Sequence, residues 1–499
     1  MTHVPKEQSE NQKIVEVRET TCCIVGAGPA GLILAALLAR KNVPVLLLEQ
    51  HFNFDRDFRG DTVHPSTLEL LDQLGWADEL LEKPHGKVSS LRLQMGNRQI
   101  KIADFSAVDT RFPYIALIPQ VEFLDFICQK ASQFPGFHVE MGANVLALLE
   151  DDRSVRGVRF RGHDGAWREV RARLVVGADG RFSRVRQLGG FELNKSAPPM
   201  DVLWFRLPRR AGDPPEFPLF SVGPGHLLVV LSRPEDLQLG YVIPKGSFAS
   251  QKVEGLETLR ADLVRMQPIL ADRVSTLMEW KQIAVLSVES SRVTRWYRPG
   301  LLLIGDAAHV MSPVGGVGIN YAVQDAVEAA NLLAAPLAGG PVELRHLAAV
   351  QSARELPVKV IQFIQKMIQN RVLTGVLTSK QDLPNLPLPL RILPKIPFLR
   401  SLPPRILAFG IRRVRIRDRI DFREPETQTL LSWFPAGVQL SRLGTVIQVR
   451  LVDNVDPEIP LLAPCPPFCT SPVDLPRNLL AARFCLAGSG TARHLYRVA

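Results

Sequence analysis

The groups in this chain whose types and spacing could do chemistry are a glycine-spaced turn, an acidic strand terminus and two strand ends that pair glycine with aspartate. The turn is Gly26-Ala27-Gly28-Pro29-Ala30-Gly31, preceded by the apolar run at 22–25 and followed by an Ala/Leu-rich helical stretch at 32–40. Gly26 permits a tight turn, Gly28 lets the backbone approach a pyrophosphate, and Gly31 lets helix and strand pack closely. The start of the helix offers unpaired N–H groups and a positive dipole end to phosphates. A second apolar run at 43–48 ends in Glu49, where a carboxylate accepts a hydrogen bond from an adenosine ribose hydroxyl. It would repel a 2′-phosphate, so this site suits FAD or NAD and not NADP.

The second group is Asp179-Gly180, closing the apolar stretch at 174–178, with Arg184 and Arg186 just behind. Alone it is an ordinary turn. The third is Gly305-Asp306-Ala307-Ala308-His309, followed by Pro313, Gly315, Gly316, Gly318, Ile319 and Asn320. A strand ending in Gly-Asp sets a carboxylate where it can bind a ribityl hydroxyl. The later glycines bring backbone N–H groups and a helix start toward a ligand, where they would stabilise the anion of a reduced flavin.

In this order the three motifs resemble the class A flavoprotein monooxygenases, the para-hydroxybenzoate hydroxylase-like family, over residues 20–375. The resemblance implies non-covalent FAD and a transient NADH or NADPH. It implies that Gly26, Gly28, Ala30, Gly31 and Glu49 hold the ADP half of FAD. Arg59 and Gln120 match cofactor-contacting positions. Asp179 and Gly180 would serve FAD and the reducing nucleotide. Gly305 and Asp306 would hold the ribityl chain, and Pro313, Gly315, Gly316, Gly318, Ile319 and Asn320 would line the ring. No residue clearly matches the family's phenol-activating tyrosine. Tyr241, His226 and His309 are weak catalytic candidates: a core tyrosine is the simpler reading of the first, and a structural or flavin-adjacent role that of His309.

The implied reaction is hydroxylation or epoxidation by O2 through a flavin C4a-hydroperoxide. The Leu, Val and Phe content of the covering strands favours an apolar aromatic, quinone, quinoline or polyketide-like substrate. Three alternatives share the motifs: a reductase of isoprenoid double bonds, a flavin halogenase, and a flavin-binding protein without turnover. Gly240-Tyr241-Val242-Ile243-Pro244 weakly resembles a halogenase segment but lacks both of its tryptophans.

The elements that must position these groups fall into a Rossmann-like α/β domain and an antiparallel sheet. Residues 20–85, 115–190 and 291–375 are expected to form a discontinuous FAD-binding domain. Residues 86–114 and 191–290, strand-like with many turn residues, are expected to form a substrate-binding β-sheet domain. Within the first, Ser66-Thr67-Leu68-Glu69 has capping-box spacing. Residues 1–19 read as a polar tail, and 376–499 as a Pro/Arg-rich extension that matches nothing recognisable beyond about residue 420. Gly488-Ser489-Gly490 lies too near the end for a second dinucleotide unit.

Length and composition bound the reading. The 499 residues, 46% hydrophobic, suffice for two or three domains. Six cysteines show no pairing framework, and Cys465 and Cys469 lack partners for a zinc site. No metal is expected. The net charge of +10 is concentrated at 371–420, where eleven Arg or Lys meet two Asp. That distribution gives a nucleic-acid partner little support. The segment is proline-rich, which suits an extended arm on a protein surface; peripheral docking of 380–420 on an anionic membrane is the sharper alternative. The apolar stretch at 24–39 is too short and glycine-broken for a span, and 1–20 carries no apolar signal core. A cytoplasmic enzyme is expected, with the inner membrane face its one peripheral site. The oligomeric state is open.

Overall fold

The computed structural model describes residues 13–55, 61–96, 98–214, 216–379 and 402–417, and four short strands beyond them. It divides into two units, Met1–Ile416 and Arg417–Ala499. In the second, Val438–Leu443 pairs with Val446–Leu451 and Cys485–Leu486 with Tyr496–Arg497, both antiparallel.

The first unit is built on two large sheets. One runs in the order Tyr297–Arg298, Leu301–Leu303, Trp167–Gly177, Ile14–Val25, Val45–Glu49, Phe137–Met141, and all but its first pairing are parallel. Parallel strands are covered on both faces, which is why their inner halves read as unbroken apolar runs. Cys22, Cys23, Ile24 and residues 301–304 are wholly buried. Helix Pro29–Arg40 lies against the long helix Gly318–Gly339 and against Gln120–Ala131, with every residue from Ala30 to Ala39 buried.

The N-terminal part of the first strand corrects the polar-tail reading. Glu16 to Thr20 pair in register with Arg168 to Ala172. Its alternation is inverted: Glu16 and Arg18, half-exposed, lie on the more covered side, while Val15 and Val17 stay exposed. Arg18 reaches Glu140 at 2.6 Å and Arg168 reaches Glu16 at 3.2 Å, so charge pairs across strands replace apolar contacts. Helix Pro65–Gln73 corrects the capping box as well. His64 is its N-cap, with no side-chain cap, and Glu69 instead accepts from Thr110 and Arg413.

The second sheet runs Ala284–Ser287, Met200–Pro208, Asp236–Pro244, His226–Ser232, Phe220–Gly223, Ser90–Met95, Arg98–Asp104. Only the Phe220–Gly223 pairing with Ser90–Met95 is parallel. Gly86–Val88 stands apart, in a small sheet with Ile115–Leu117 and Thr62–Val63. Nor is the 191–290 stretch all strand. Helices Phe248–Glu254 and Leu256–Met266 and three short 3-10 turns fill residues 248–282. Leu259 and Leu263 of the second helix seal one face of the sheet, meeting Leu228, Val230, Leu239 and Tyr241.

The body continues beyond residue 376 to Ile416. Helix Leu402–Phe409 buries Ala408 and Phe409 against the apolar cluster around Phe105 and Leu117. The remaining parts of the 380–420 arm, and Cys465 and Cys469, lie outside the described residues. Among the described residues no helix is long and apolar enough to cross a membrane.

Because Leu263 is fully buried, Leu263→Ala should lower unfolding stability by about 2–5 kcal/mol. A urea midpoint lowered in proportion to that loss, with FAD binding retained, is the expected measurement; no shift would contradict the helix's place under the sheet.

Candidate functional site

The parallel sheet delivers all three motifs to one edge. Val25 is level with Gly177, Gly177 with Leu303, and Val25 with Leu48, so the loops that follow leave from adjacent carboxyl ends. Ligands of open α/β sheets bind at that edge. A Cβ at Gly26 (φ +101°) would sit 2.6 Å from the Ala178 carbonyl oxygen and from Asp179 Cα. A Cβ at Gly305 would lie 3.1 Å from that of Ala30. The first loop therefore touches both others. Arg186, buried, donates to the Ala307 carbonyl at 3.0 Å and so ties the second loop to the third.

The glycines divide by what surrounds them. Gly31 is a packing glycine: a Cβ there would lie 1.9 Å from the Gly26 carbonyl oxygen. At Gly28, Gly180 and Gly318 a Cβ would meet nothing within 4 Å, so their bare backbone faces an open side. Gly28 is the N-cap of Pro29–Arg40, and no side chain caps either that helix or Gly318–Gly339. Both leave first-turn N–H groups for an anionic ligand.

The polar residues are held by the fold itself. Glu49 accepts from Ala27 N–H at 2.9 Å and from His51 N–H at 3.0 Å, so its carboxylate shapes the first loop. Asp179 accepts from Ser183 Oγ and from Val185 N–H at 2.9 Å, and burial raises its carboxyl above the usual range. Asp306 sits in a 3-10 turn, Gly305–Ala307. Gln120 opens helix Gln120–Ala131. Gly316 is pressed onto Thr62, whose Oγ donates to the Gly316 carbonyl at 2.8 Å. Asn320 is fully engaged: Oδ1 accepts from His64 N–H at 2.9 Å and Thr67 Oγ at 2.7 Å, and Nδ2 faces the Thr62 and Gly316 carbonyls. Its side chain braces the loop from behind. Pro313 accepts from Gly316 N–H, and Ile319 packs on the core. Arg59 lies outside the described residues.

Each of the three catalytic candidates is engaged by neighbouring side chains. Tyr241 and His226 stack with ring centroids 4.6 Å apart on the helix-covered face of the second sheet, and Tyr241 donates to Asp262 at 3.0 Å. Burial, then Asp262, pushes the phenol far above its ordinary value, and burial lowers His226. The opposite face carries Val202, Val222 and Val242, in an apolar cluster that also takes in Leu373 and Val376 and, at its edge, Val314 of the third loop. His309 is 1% exposed, and its Nε2 lies 2.6 Å from Asp325 Oδ2.

Asp325 is the residue that motif reading missed. It is fully buried, and it also accepts from Gly305 N–H at 3.1 Å and Arg354 Nε at 2.7 Å. Burial would raise its carboxyl, but His309 and then Arg354 outweigh that and hold it below the usual range. The available signal was an aspartate inside an otherwise Ala/Val-rich helix. Asp61 was missed too. Its Oδ2 lies 3.0 Å from Arg233 Nη2, both side chains 7% exposed. Burial, opposed chiefly by Arg233 and by the Gln120 N–H, pushes its carboxyl up to about 6. Two surface clefts of about 310 and 290 Å3, one beside Tyr297 and Arg345 and one beside Ser154 and Gly340, contain none of these residues.

Open-backed glycines at two uncapped helix starts, an acidic strand end and a turn carboxylate fit a flavin dinucleotide stretched from the first loop to the third. The FAD binding domain family matches residues 19–364. Over 414 residues the chain is 33% identical to 6-methylpretetramide 4-monooxygenase of Streptomyces rimosus, covering 82% of this chain and 97% of that protein. The chain belongs to the class A FAD-dependent monooxygenases. Pentachlorophenol 4-monooxygenase of Sphingobium chlorophenolicum is 27% identical over 61% of this monooxygenase and 56% of its own length. Among solved structures, the anhydrotetracycline hydroxylase OxyS of Streptomyces rimosus aligns with a TM-score of 0.62 at 24% identity, over 81% of this chain and 78% of that one. A flavin-dependent brominase aligns with a TM-score of 0.63 at 17% identity, over 83% of this chain and 98% of that one, a likeness of fold alone.

FAD is thus the cofactor of this monooxygenase, and Asp325 stands behind its third loop. Asp325→Ala leaves Arg354 buried without its partner, which should cost about 3–5 kcal/mol. Thermal unfolding and FAD content should both fall; an unchanged melt would contradict the assignment. Because the carboxyl is held low, its contribution is complete at neutral pH and fades only as acid protonates it.

Proposed function

We propose that this monooxygenase uses NADH or NADPH and O2 to hydroxylate or epoxidise a planar, apolar aromatic of the polyketide, quinone or quinoline kind. The observation that carries this is the sheet face turned to the third loop. Trp204, half-buried, lies across from Gly240 in register, and a Cβ at Gly240 would be 2.9 Å from the indole Cη2 and Cζ3. Gly240 thus lets the indole lie flat on the sheet. Phe220, Val229 and Ile102 are half-buried beside it, spanning two apolar clusters. An aromatic, methyl-lined wall favours flat rings over a charged small acid. Relatives named as monooxygenases of 6-methylpretetramide, anhydrotetracycline and pentachlorophenol point the same way.

When bound, FAD supplies the reduced ring that activates O2. Gly28 and the two helix starts would hold its phosphates and stabilise charge on its ring. The apolar wall orients the substrate and excludes water. Asp61 takes the proton from a substrate hydroxyl. It stands one residue from Thr62, which holds Gly316, and reaches Arg233 at the end of the sheet strand His226–Ser232. Its Oδ2 has no aligned hydrogen-bond donor among the described residues. A carboxyl tuned to about 6 suits a base working near neutrality.

The test is NADH and NADPH oxidation by the FAD-loaded full chain, with and without air, using an anthraquinone phenol as probe. Oxygen-dependent oxidation that the probe accelerates, with a product one oxygen heavier, is expected. Reduction that continues without air, or a halide-dependent product, would overturn the proposal. Trp204→Ala should raise KM for the tricyclic probe by about tenfold while leaving a single-ring phenol little changed. A base must be deprotonated, so kcat/KM should rise with pH through about 6. Asp61→Asn should lower turnover by about 100-fold or more and remove that limb; an unaltered profile would take the role from Asp61.

A further inference from the structure

The segment at 402–416 has no part in the motifs, yet it is fastened to the back of the third loop. Leu407 offers its carbonyl to the His64 ring, whose Nδ1 lies 2.7 Å away. Its side chain lies where a Cβ on Gly315 would come within 3.1 Å of Leu407 Cδ2. Gly410 lies against Tyr321 of the following helix: a Cβ there would be 2.8 Å from the phenol oxygen. Farther along, the Arg413 guanidinium sits 4.0 Å over the Phe409 ring and pairs with Glu69. Arg415 accepts from Asn331 at 2.8 Å, and Ile416 N–H donates to Gln73 at 2.9 Å. These are anchors to helices Pro65–Gln73 and Gly318–Gly339, on either side of the loop.

We propose that His64 is a positioning residue for the flavin-ring loop, and that segment 402–416 completes the cofactor site by fixing that residue through the Leu407 carbonyl. This rests on the reading of residues 315–318 as the loop that meets the flavin ring. His64 is wholly buried. Its backbone N–H holds Asn320, and its ring stands between Leu407 and the Gly316 carbonyl. Burial lowers the imidazole to about 4, so it is neutral and has one N–H to give. A carbonyl can only accept, and of the two beside the ring Leu407's is the one aligned for a hydrogen bond, 2.7 Å from Nδ1, so that bond needs the proton on Nδ1. Nε2 is then an acceptor with no partner among the described residues. A ring locked in one tautomer by the C-terminal segment sets how closely Gly315 and Gly316 are pressed toward the flavin side.

The test measures FAD and ADP affinities of full-length variants side by side, ADP reporting the first loop alone. His64→Leu keeps bulk and removes the donor; Arg413→Ala loosens the segment away from the ring loop. His64→Leu should weaken FAD about tenfold, as the loss of one buried hydrogen bond implies, and Arg413→Ala, which removes a partly exposed pair, should weaken it by a smaller factor; both should shift the bound flavin's visible band and leave ADP affinity within twofold. His64→Asn, which restores a donor toward Leu407, should recover most of the loss. Unchanged FAD affinity in both variants, or equal losses of FAD and ADP, would overturn the proposal. Gly31→Val is the control for the underlying reading, and retention of FAD and ADP binding by that variant would refute the cofactor site itself.

Discussion

Backbone touching backbone at Gly26 and Asp179, and Ala30 meeting Gly305, is the constraint on which the cofactor half depends. Contacts of 2.6 Å to a notional Cβ leave no room for a side chain at Gly26. Such proximity is possible only because the strand register puts Val25, Gly177 and Leu303 side by side. A slip of one residue would turn every buried side chain of the central strand to its other face and separate the loops. The charged pairing of Glu16, Arg18, Arg168 and Glu140 at the far end of that strand guards the register where apolar packing runs out.

The third loop needs a different restraint, since it is long and glycine-rich. Asp325 provides it from within helix Gly318–Gly339, with both oxygens occupied by donors from Gly305, His309 and Arg354. A buried ionic cluster of this kind is seldom a net source of stability against apolar packing. Its value lies in specifying one arrangement of the turn. Asn320, through His64 and Thr67, does the same for the other end of the loop.

The local part of this was legible in the sequence. Glycine spacing, the apolar runs and the acidic strand end each declare themselves within a few residues, and they carried the fold class and cofactor. What escaped depends on partners far along the chain. Asp325 lies 16 residues from His309 and 29 from Arg354, and only the helix packing brings them together. Tyr241 shares its side of the strand with Leu239 and Ile243. Alternation shows that much, but which side is left toward the third loop is decided by the helix at 256–266 covering the other. That helix was readable from Leu256, Leu259, Leu263 and Met266, and was masked by flanking turn residues. Residues 14–20 misled because the half-exposed Glu16 and Arg18 share the more covered side with Ile14, while Val15 and Val17 face out.

The two buried acids differ in a way that separates scaffolding from chemistry. Asp325 is served by three donors and is held below the usual carboxylate range. Such a group has little reason to exchange a proton. Asp61 has a guanidinium 3.0 Å away but, among the described residues, no aligned donor to its Oδ2, and it is raised to about 6. An under-bonded buried ion pair is costly, and a well-packed apolar pair in its place would serve stability at least as well. Its cost falls where Thr62, next in the chain, holds Gly316 and Arg233 directly follows the strand His226–Ser232 of the second sheet. The raised carboxyl thus sits between the third loop and the second sheet, the arrangement that the proposed base requires, and elsewhere in the fold the same pair would only weaken it.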